Sequence, residues 1–135
     1  FRYPGLYDTG VAVAAVPNER LYDTIYQERY MGLPDENPDG YRRGSPITYA
    51  HQLEGNLLMI HGTADDNVHY QGVETLINEL IARNKPFDMM AYPNRTHSIA
   101  EGKNTRLHLY NLMTRYLYEN TPGVPKASNS ASEEP

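Results

Sequence analysis

Two polar stretches hold the residues whose types could do chemistry. One reads His61-Gly62-Thr63-Ala64-Asp65-Asp66-Asn67-Val68-His69, the other Asn94-Arg95-Thr96-His97-Ser98-Ile99. A carboxylate from the first and the imidazole of His97 from the second make an acid–base pair. Imidazole takes up and releases a proton near neutral pH. A carboxylate beside it fixes the tautomer and steadies the imidazolium that forms. Such a pair activates a hydroxyl, which is a poor nucleophile until a base removes its proton. Both Asp65 and Asp66 offer the carboxylate. A nucleophile for them is missing: Ser45 and Ser98 both lack the flanking glycines that present a serine on a sharp strand-to-helix turn. His61, His69 and His108 show no metal-ligand spacing and read as structural, so no metal or cofactor is implied.

The elements around these stretches decide whether the pair can meet. Gly10–Val16 is a continuous apolar run, the mark of a strand buried on both faces. Leu57–Ile60, closed by His61-Gly62, is a second such run, and Phe87–Tyr92 a third, ended by Pro93. Between them the period changes. Leu21 to Met31 carries Tyr22, Tyr26, Arg29 and Tyr30 at spacings of three and four, which share one face if helical. Residues 32–45 are rich in Gly, Pro, Asp and Asn and read as loop. Ser45-Pro46 opens a short helix to about Leu53. From His69, the residues Val73, Leu76, Ile77, Leu80 and Ile81 form an apolar stripe that Asn84-Lys85-Pro86 stops. A last helix is expected from Thr105 to Asn120, with Leu109, Leu112, Met113, Tyr116 and Leu117 inward.

Strand and helix therefore alternate three times, which implies right-handed βαβ units and a parallel sheet. In such sheets functional side chains stand in loops at the carboxyl ends of the strands. An Asp after the second strand and a His after the third, about thirty positions on, can meet across adjacent strand ends. The fold class is α/β. Residues 1–120 read as one incomplete domain and 121–135, rich in Pro, Ser and acidic residues, as a flexible tail.

Composition narrows the partners. The net charge is −5 with no basic block, which argues against nucleic acid. No apolar run is long enough to span a bilayer. Twelve Tyr against two Phe and no Trp favour a pocket or interface as well as a core, since a Tyr ring is apolar with a polar tip. Without cysteine, disulfides and thiolate sites are excluded within the chain. Asn94-Arg95-Thr96 fits the glycosylation pattern but sits beside His97, and reads as coincidence.

The stretch Leu58–His69 resembles the acid-loop motif of the prolyl oligopeptidase clan, in the form Gly-Thr-Ala-Asp-Asp-Asn-Val-His typical of its dipeptidyl-peptidase IV branch. Tyr22-Asp23-Thr24-Ile25-Tyr26-Gln27-Glu28-Arg29-Tyr30-Met31-Gly32 is similar to a second signature of that branch, and His97-Ser98-Ile99 to its His loop, where Gly commonly follows the His. The resemblance implies the C-terminal portion of an α/β-hydrolase fold, with three parallel strands alternating with helices. It makes Asp65 the triad acid and His97 the general base, and leaves Asp66 to hydrogen-bond the loop backbone. Tyr22, Tyr26, Val68 and Val16 would line a hydrophobic pocket for the residue before the scissile bond, a flat Tyr pair suiting a rigid proline ring. Asn67 would bind near the substrate carbonyl and Arg29 would brace the Tyr pair. Glu19 stands where the family often has Trp.

The implied substrate is a peptide with a free N-terminus and Pro or Ala in second place. The implied partners are an upstream part of the same protein, with the serine elbow and a propeller domain, and a second subunit in a homodimer. Bacterial relatives of this kind are usually exported to the periplasm. Without the serine the chain alone is expected to be inactive. The alternatives are another hydrolase of the clan, such as an acylaminoacyl peptidase or oligopeptidase, and a non-catalytic interaction module.

Overall fold

A computed structural model describes residues 1–123; the expected tail lies outside the described residues from 124 onward. Three strands, β1 (Thr9–Val13), β2 (Asn56–Gly62) and β3 (Asp88–Tyr92), form a parallel sheet in the order β1-β2-β3. Val11 pairs with Leu58 on one side of β2, and Met59 with Met89 on the other. β2 is central and buried from Leu57 to Gly62, so its apolar run carries no alternation.

The side chains of β2 divide by parity between two cores. Leu57 and Met59 join Ala50, Leu53, Val73, Leu76 and Leu80 on the face covered by the 3₁₀ segment Pro46–Gln52 and a helix over Tyr70–Ala82. Leu58 and Ile60 pack with Tyr92, Ile99, Leu109 and Tyr116 under the helix Thr105–Asn120. Of the expected inward residues, Ile81 and Leu117 are 62% and 43% exposed, because the apolar stripe facing the sheet is narrower than the run of apolar letters.

In chain order the α-helices are α1 (Thr24–Met31), α2 (Pro38–Gly44), α3 (Tyr70–Ala82) and α4 (Thr105–Asn120). Three boundaries differ from expectation. β1 ends at Val13 because Ala14 turns into the left-handed region at φ 46°, which a run of apolar letters does not reveal. The segment 21–31 is not one helix: a 3₁₀ turn over Glu19–Leu21 precedes α1, and Tyr22 between them is extended. Asp23 then caps α1, its carboxylate accepting from Tyr26 N–H at 3.2 Å. Within the expected loop 32–45, α2 forms. Asn37 caps it by accepting from Gly40 N–H at 3.1 Å, Pro38 begins it, and Tyr41, 1% exposed, anchors it. Ser45 does not cap the following 3₁₀ segment. Its hydroxyl donates to Tyr41 O at 2.7 Å and accepts from Glu19 N–H at 2.9 Å.

Among the described residues β1 pairs on one side only, and Val13 on it is 39% exposed. An unpaired parallel edge is a template for another strand. The 135-residue chain by itself is therefore expected to self-associate in light scattering, and Val13→Lys to reduce the association. A monodisperse monomer would contradict this use of the edge.

Candidate active site

The ends of β2 and β3 are laced together by their own backbones. Thr63 N–H donates to Tyr92 O at 3.0 Å and Ala64 N–H to Arg95 O at 3.1 Å. Thr63 Oγ1 accepts from Asn94 N–H at 2.9 Å. So close an approach needs a residue without a side chain at the end of β2. A Cβ on Gly62 would stand 2.2 Å from Arg95 O and 2.7 Å from Thr96 O.

This lacing brings Asp65 to His97. Asp65 Oδ2 lies 2.9 Å from His97 Nδ1. The carboxylate is fully buried, while the imidazole is 41% exposed. Asp65 Oδ1 accepts from Asn67 N–H at 3.0 Å and Val68 N–H at 2.9 Å, closing a turn on the carboxylate itself. Burying a charge is costly unless it is paired and hydrogen-bonded, and here both oxygens are engaged. With Nδ1 donating to Asp65, the His97 Nε2 lone pair is left for a proton, and Nε2 has no partner among the described residues. Asp66 is exposed and makes no side-chain hydrogen bond among the described residues. The expectation that it ties the loop backbone is corrected, because the carboxylate of Asp65 performs that task.

The His loop has its own anchor. Glu101 accepts from the hydroxyl and the N–H of Thr96 and from Ala100 N–H at 3.2 Å. The Thr96 hydroxyl first, then the backbone N–H groups, hold its carboxyl down to about 2, against an ordinary 4.5. Ile99, at φ 46° and fully buried, plugs the loop into the core under α4. Below it Tyr92, whose phenol is pushed up by burial, bonds His108 Nδ1 at 2.7 Å.

The aromatic residues stand on the other side of the acid loop. Tyr22 and Tyr26 meet edge to face with ring centroids 5.8 Å apart, and Tyr30 continues the row at 5.1 Å from Tyr26. Tyr22 donates its hydroxyl to Asn67 Oδ1 at 3.0 Å. Arg29 is exposed without a side-chain hydrogen bond among the described residues, and the ring packed on Tyr26 is that of Tyr30. Val16 is half-buried beyond the left-handed Ala14. Val68 is buried, its peptide bonded to Asp65 and His61. Glu19 is half-buried, which raises its carboxyl, and accepts from the Gln27 side chain. His69 is exposed at the start of α3.

Sequence reasoning set His61 aside, yet its Nε2 lies 3.2 Å from Asp65 Oδ2 in full burial. The signal available was its position two residues after Met59 on the same buried face of β2. Among the described residues no group of three or more His, Cys, Asp or Glu could hold a metal, and no helix is long and apolar enough to cross a membrane.

A family model described as the prolyl oligopeptidase family matches residues 2–123. The chain is similar to prolyl endopeptidase FAP of Mus musculus, 39% identical over 116 residues, and to dipeptidyl peptidase 4 of Bos taurus, 38% identical over 116 residues. Each match takes in 84% of this chain and 15% of the relative. Among solved structures it is similar to Porphyromonas gingivalis dipeptidyl peptidase 4, with TM-score 0.83 and 46% identity over 86% of this chain and 16% of that one. A putative dipeptidyl aminopeptidase IV from Bacteroides ovatus ATCC 8483 gives TM-score 0.84 and 35% identity, over 88% and 16%. The chain thus spans about 15% of the length of the curated relatives it matches. Its sheet and helices are part of an α/β-hydrolase fold, as the resemblance implied.

Two outcomes follow from the lacing. Gly62→Ala forces backbone against backbone, so it is expected to cost about 1–3 kcal/mol in denaturant melts and to part Asp65 from His97. Unchanged stability would show that the loops have room. For Glu101, a carboxyl lowered on folding stabilises the loop above its ordinary 4.5, and the contribution is lost as pH falls toward about 2. The Thr96 and Ala100 amides are therefore expected to lose exchange protection across that window, and Glu101→Gln to remove the step. Protection unchanged down to pH 2 would count against the anchor.

Proposed function

The chain belongs to the prolyl oligopeptidase family, in its dipeptidyl-peptidase IV branch, and from that premise we propose that the protein carrying it is a serine-type dipeptidyl peptidase releasing X-Pro or X-Ala dipeptides from peptide N-termini. The observation that carries the reading is the contact of Asp65 Oδ2 with His97 Nδ1 at 2.9 Å, carboxylate buried and imidazole exposed. This is the orientation a general base needs: one nitrogen held, the other facing outward. In the proposed reaction His97 Nε2 takes the proton of a serine hydroxyl as it attacks the scissile carbonyl, then hands that proton to the leaving amine. Water hydrolyses the acyl-enzyme by the same route. Asp65 stays ionised and stabilises the imidazolium.

The serine is proposed to come from an elbow outside these 135 residues, and residues 1–120 to be one part of the peptidase domain. The chain alone is then inactive, because its Asp–His pair has no hydroxyl to activate. Tyr22, Tyr26, Val68 and Val16 are proposed to wall the proline pocket and Asn67 to bind near the substrate carbonyl. The edge-to-face Tyr pair and the Tyr22–Asn67 bond support that grouping. Arg29, which is exposed, is proposed to belong to the same substrate-binding group, beside the Tyr pair. Export to the periplasm, a propeller domain and a homodimer are proposed from the resemblance alone. One relative carries the name prolyl endopeptidase, which favours internal cleavage after proline as the second reading.

The test is hydrolysis of an X-Pro chromogenic substrate by the intact protein. Turnover is expected to be blocked by a serine-directed reagent, to be absent from the 135-residue chain, and to fall about 10⁴-fold in kcat with Asp65→Asn, as loss of the tautomer does in serine proteases. Preference for N-terminally blocked peptides would move the assignment to the endopeptidase reading. Turnover by the isolated chain, or an undiminished Asp65→Asn enzyme, would end it.

A further inference from the structure

His61 is the one buried imidazole beside the Asp65–His97 pair, and nothing in the reaction proposed above uses it. Its side chain is 1% exposed and packs edge to face on Tyr70 of α3, centroids 5.8 Å apart. Its Nε2 faces two acceptors: Val68 O at 2.8 Å and Asp65 Oδ2 at 3.2 Å. Its Nδ1 is buried with no partner among the described residues.

These contacts fix the tautomer. An unprotonated Nε2 would bring three lone-pair-bearing atoms together in a dry site, so the hydrogen must be on Nε2. Nδ1 has no acceptor among the described residues, which leaves it the nitrogen without a hydrogen in the tautomer proposed below. The N–H is aimed chiefly at Val68 O, with Oδ2 as its secondary neighbour. Val68 in turn donates its N–H to Asp65 Oδ1 at 2.9 Å. The ring thus holds the Val68 peptide, whose N–H holds Asp65 Oδ1, while Nε2 stands 3.2 Å from Oδ2.

We propose that His61 is a positioning residue: a neutral imidazole, protonated at Nε2, that holds the Asp65 carboxylate in the orientation in which its second oxygen meets His97. The proposal rests on the reading of Asp65 and His97 as acid and base. It adds a requirement that the strand end of β2 supply a donor, as well as an apolar side chain, on the α3 face. Asp65 Oδ2 then serves two imidazoles from two strands, and only the exposed one exchanges protons with a substrate.

The test uses the intact protein with ¹⁵N-labelled histidine and three forms: wild type, His61→Phe and His61→Gln. Phe fills the space without a donor, whereas the Gln amide can reach Val68 O as Nε2 does. In wild type the His61 Nε2 resonance is expected to be of the protonated kind and Nδ1 of the unprotonated kind. His61→Phe is expected to lose the downfield proton of His97 Nδ1–H and to lower kcat about ten- to a hundredfold, the scale of a hydrogen bond to a charged group, with KM within about twofold. His61→Gln is expected to restore most of both. A His61 protonated at Nδ1 in wild type would overturn the proposal even if His61→Phe does not fold. So would a folded His61→Phe that keeps the His97 proton and the rate, or a His61→Gln no better than His61→Phe. If wild type has no serine-type activity, the peptidase reading fails by itself, while the two resonances still decide whether His61 positions Asp65.

Discussion

One contact organises this structure: a buried carboxylate on one strand end against a half-exposed imidazole on the next, Asp65 Oδ2 to His97 Nδ1. The sheet can bring the two loops side by side, but parallel strands alone leave several ångströms of freedom between their ends. That freedom is removed by backbone hydrogen bonds between the loops, and these can form only because Gly62 has no Cβ to hold Arg95 away. The approach of the two loops is thus set by main chain. Main chain anchored in a buried sheet is the more rigid support.

The distribution of burial has a chemical meaning. Asp65 is removed from water and its oxygens are met by Asn67 N–H, Val68 N–H, His97 and His61. Electrostatic interaction with an imidazolium is stronger there than in water. His97 sits at the boundary, where its outer nitrogen can reach a solvent-side partner. A carboxylate exposed like Asp66 would be screened and free to turn, which is why two adjacent Asp residues of identical chemistry end in such different situations.

How much of this was legible in the sequence depends on the kind of signal. The strands were legible because burial on both faces leaves continuous apolar runs, and Leu57–Ile60 is buried as that pattern requires. The order of Asp and His was legible because parallel strands deliver their loops to one rim. α2 was not, since Gly, Pro, Asp and Asn read as loop by composition. Yet Asn37-Pro38 is also the start signal of a helix, and the capping bond to Gly40 shows which meaning prevailed. The break at Tyr22 was hidden for a similar reason: spacing of four suits a helix, but Asp23 prefers to cap one, and the Tyr pair meets without a shared helix. For His61 the strand period gave only its burial on the Met59 face, because where its two nitrogens point is not written in any pattern.

Asn67 joins the two halves of the site. Its backbone N–H holds Asp65 Oδ1, and its side-chain oxygen accepts from Tyr22, whose ring meets Tyr26 at the front of α1. With the amide oxygen turned to Tyr22, its NH₂ is the end left to donate outward. One residue therefore fixes the carboxylate, orients a donor toward the open side of the acid loop, and ties the aromatic row to that loop. A shift of the Tyr rings must pull on the turn that carries Asp65. Because that turn is closed on the carboxylate and laced to the His loop, it resists, and the aromatic row stays in register with the Asp65–His97 contact although Tyr22 and Asn67 are more than forty residues apart in the chain.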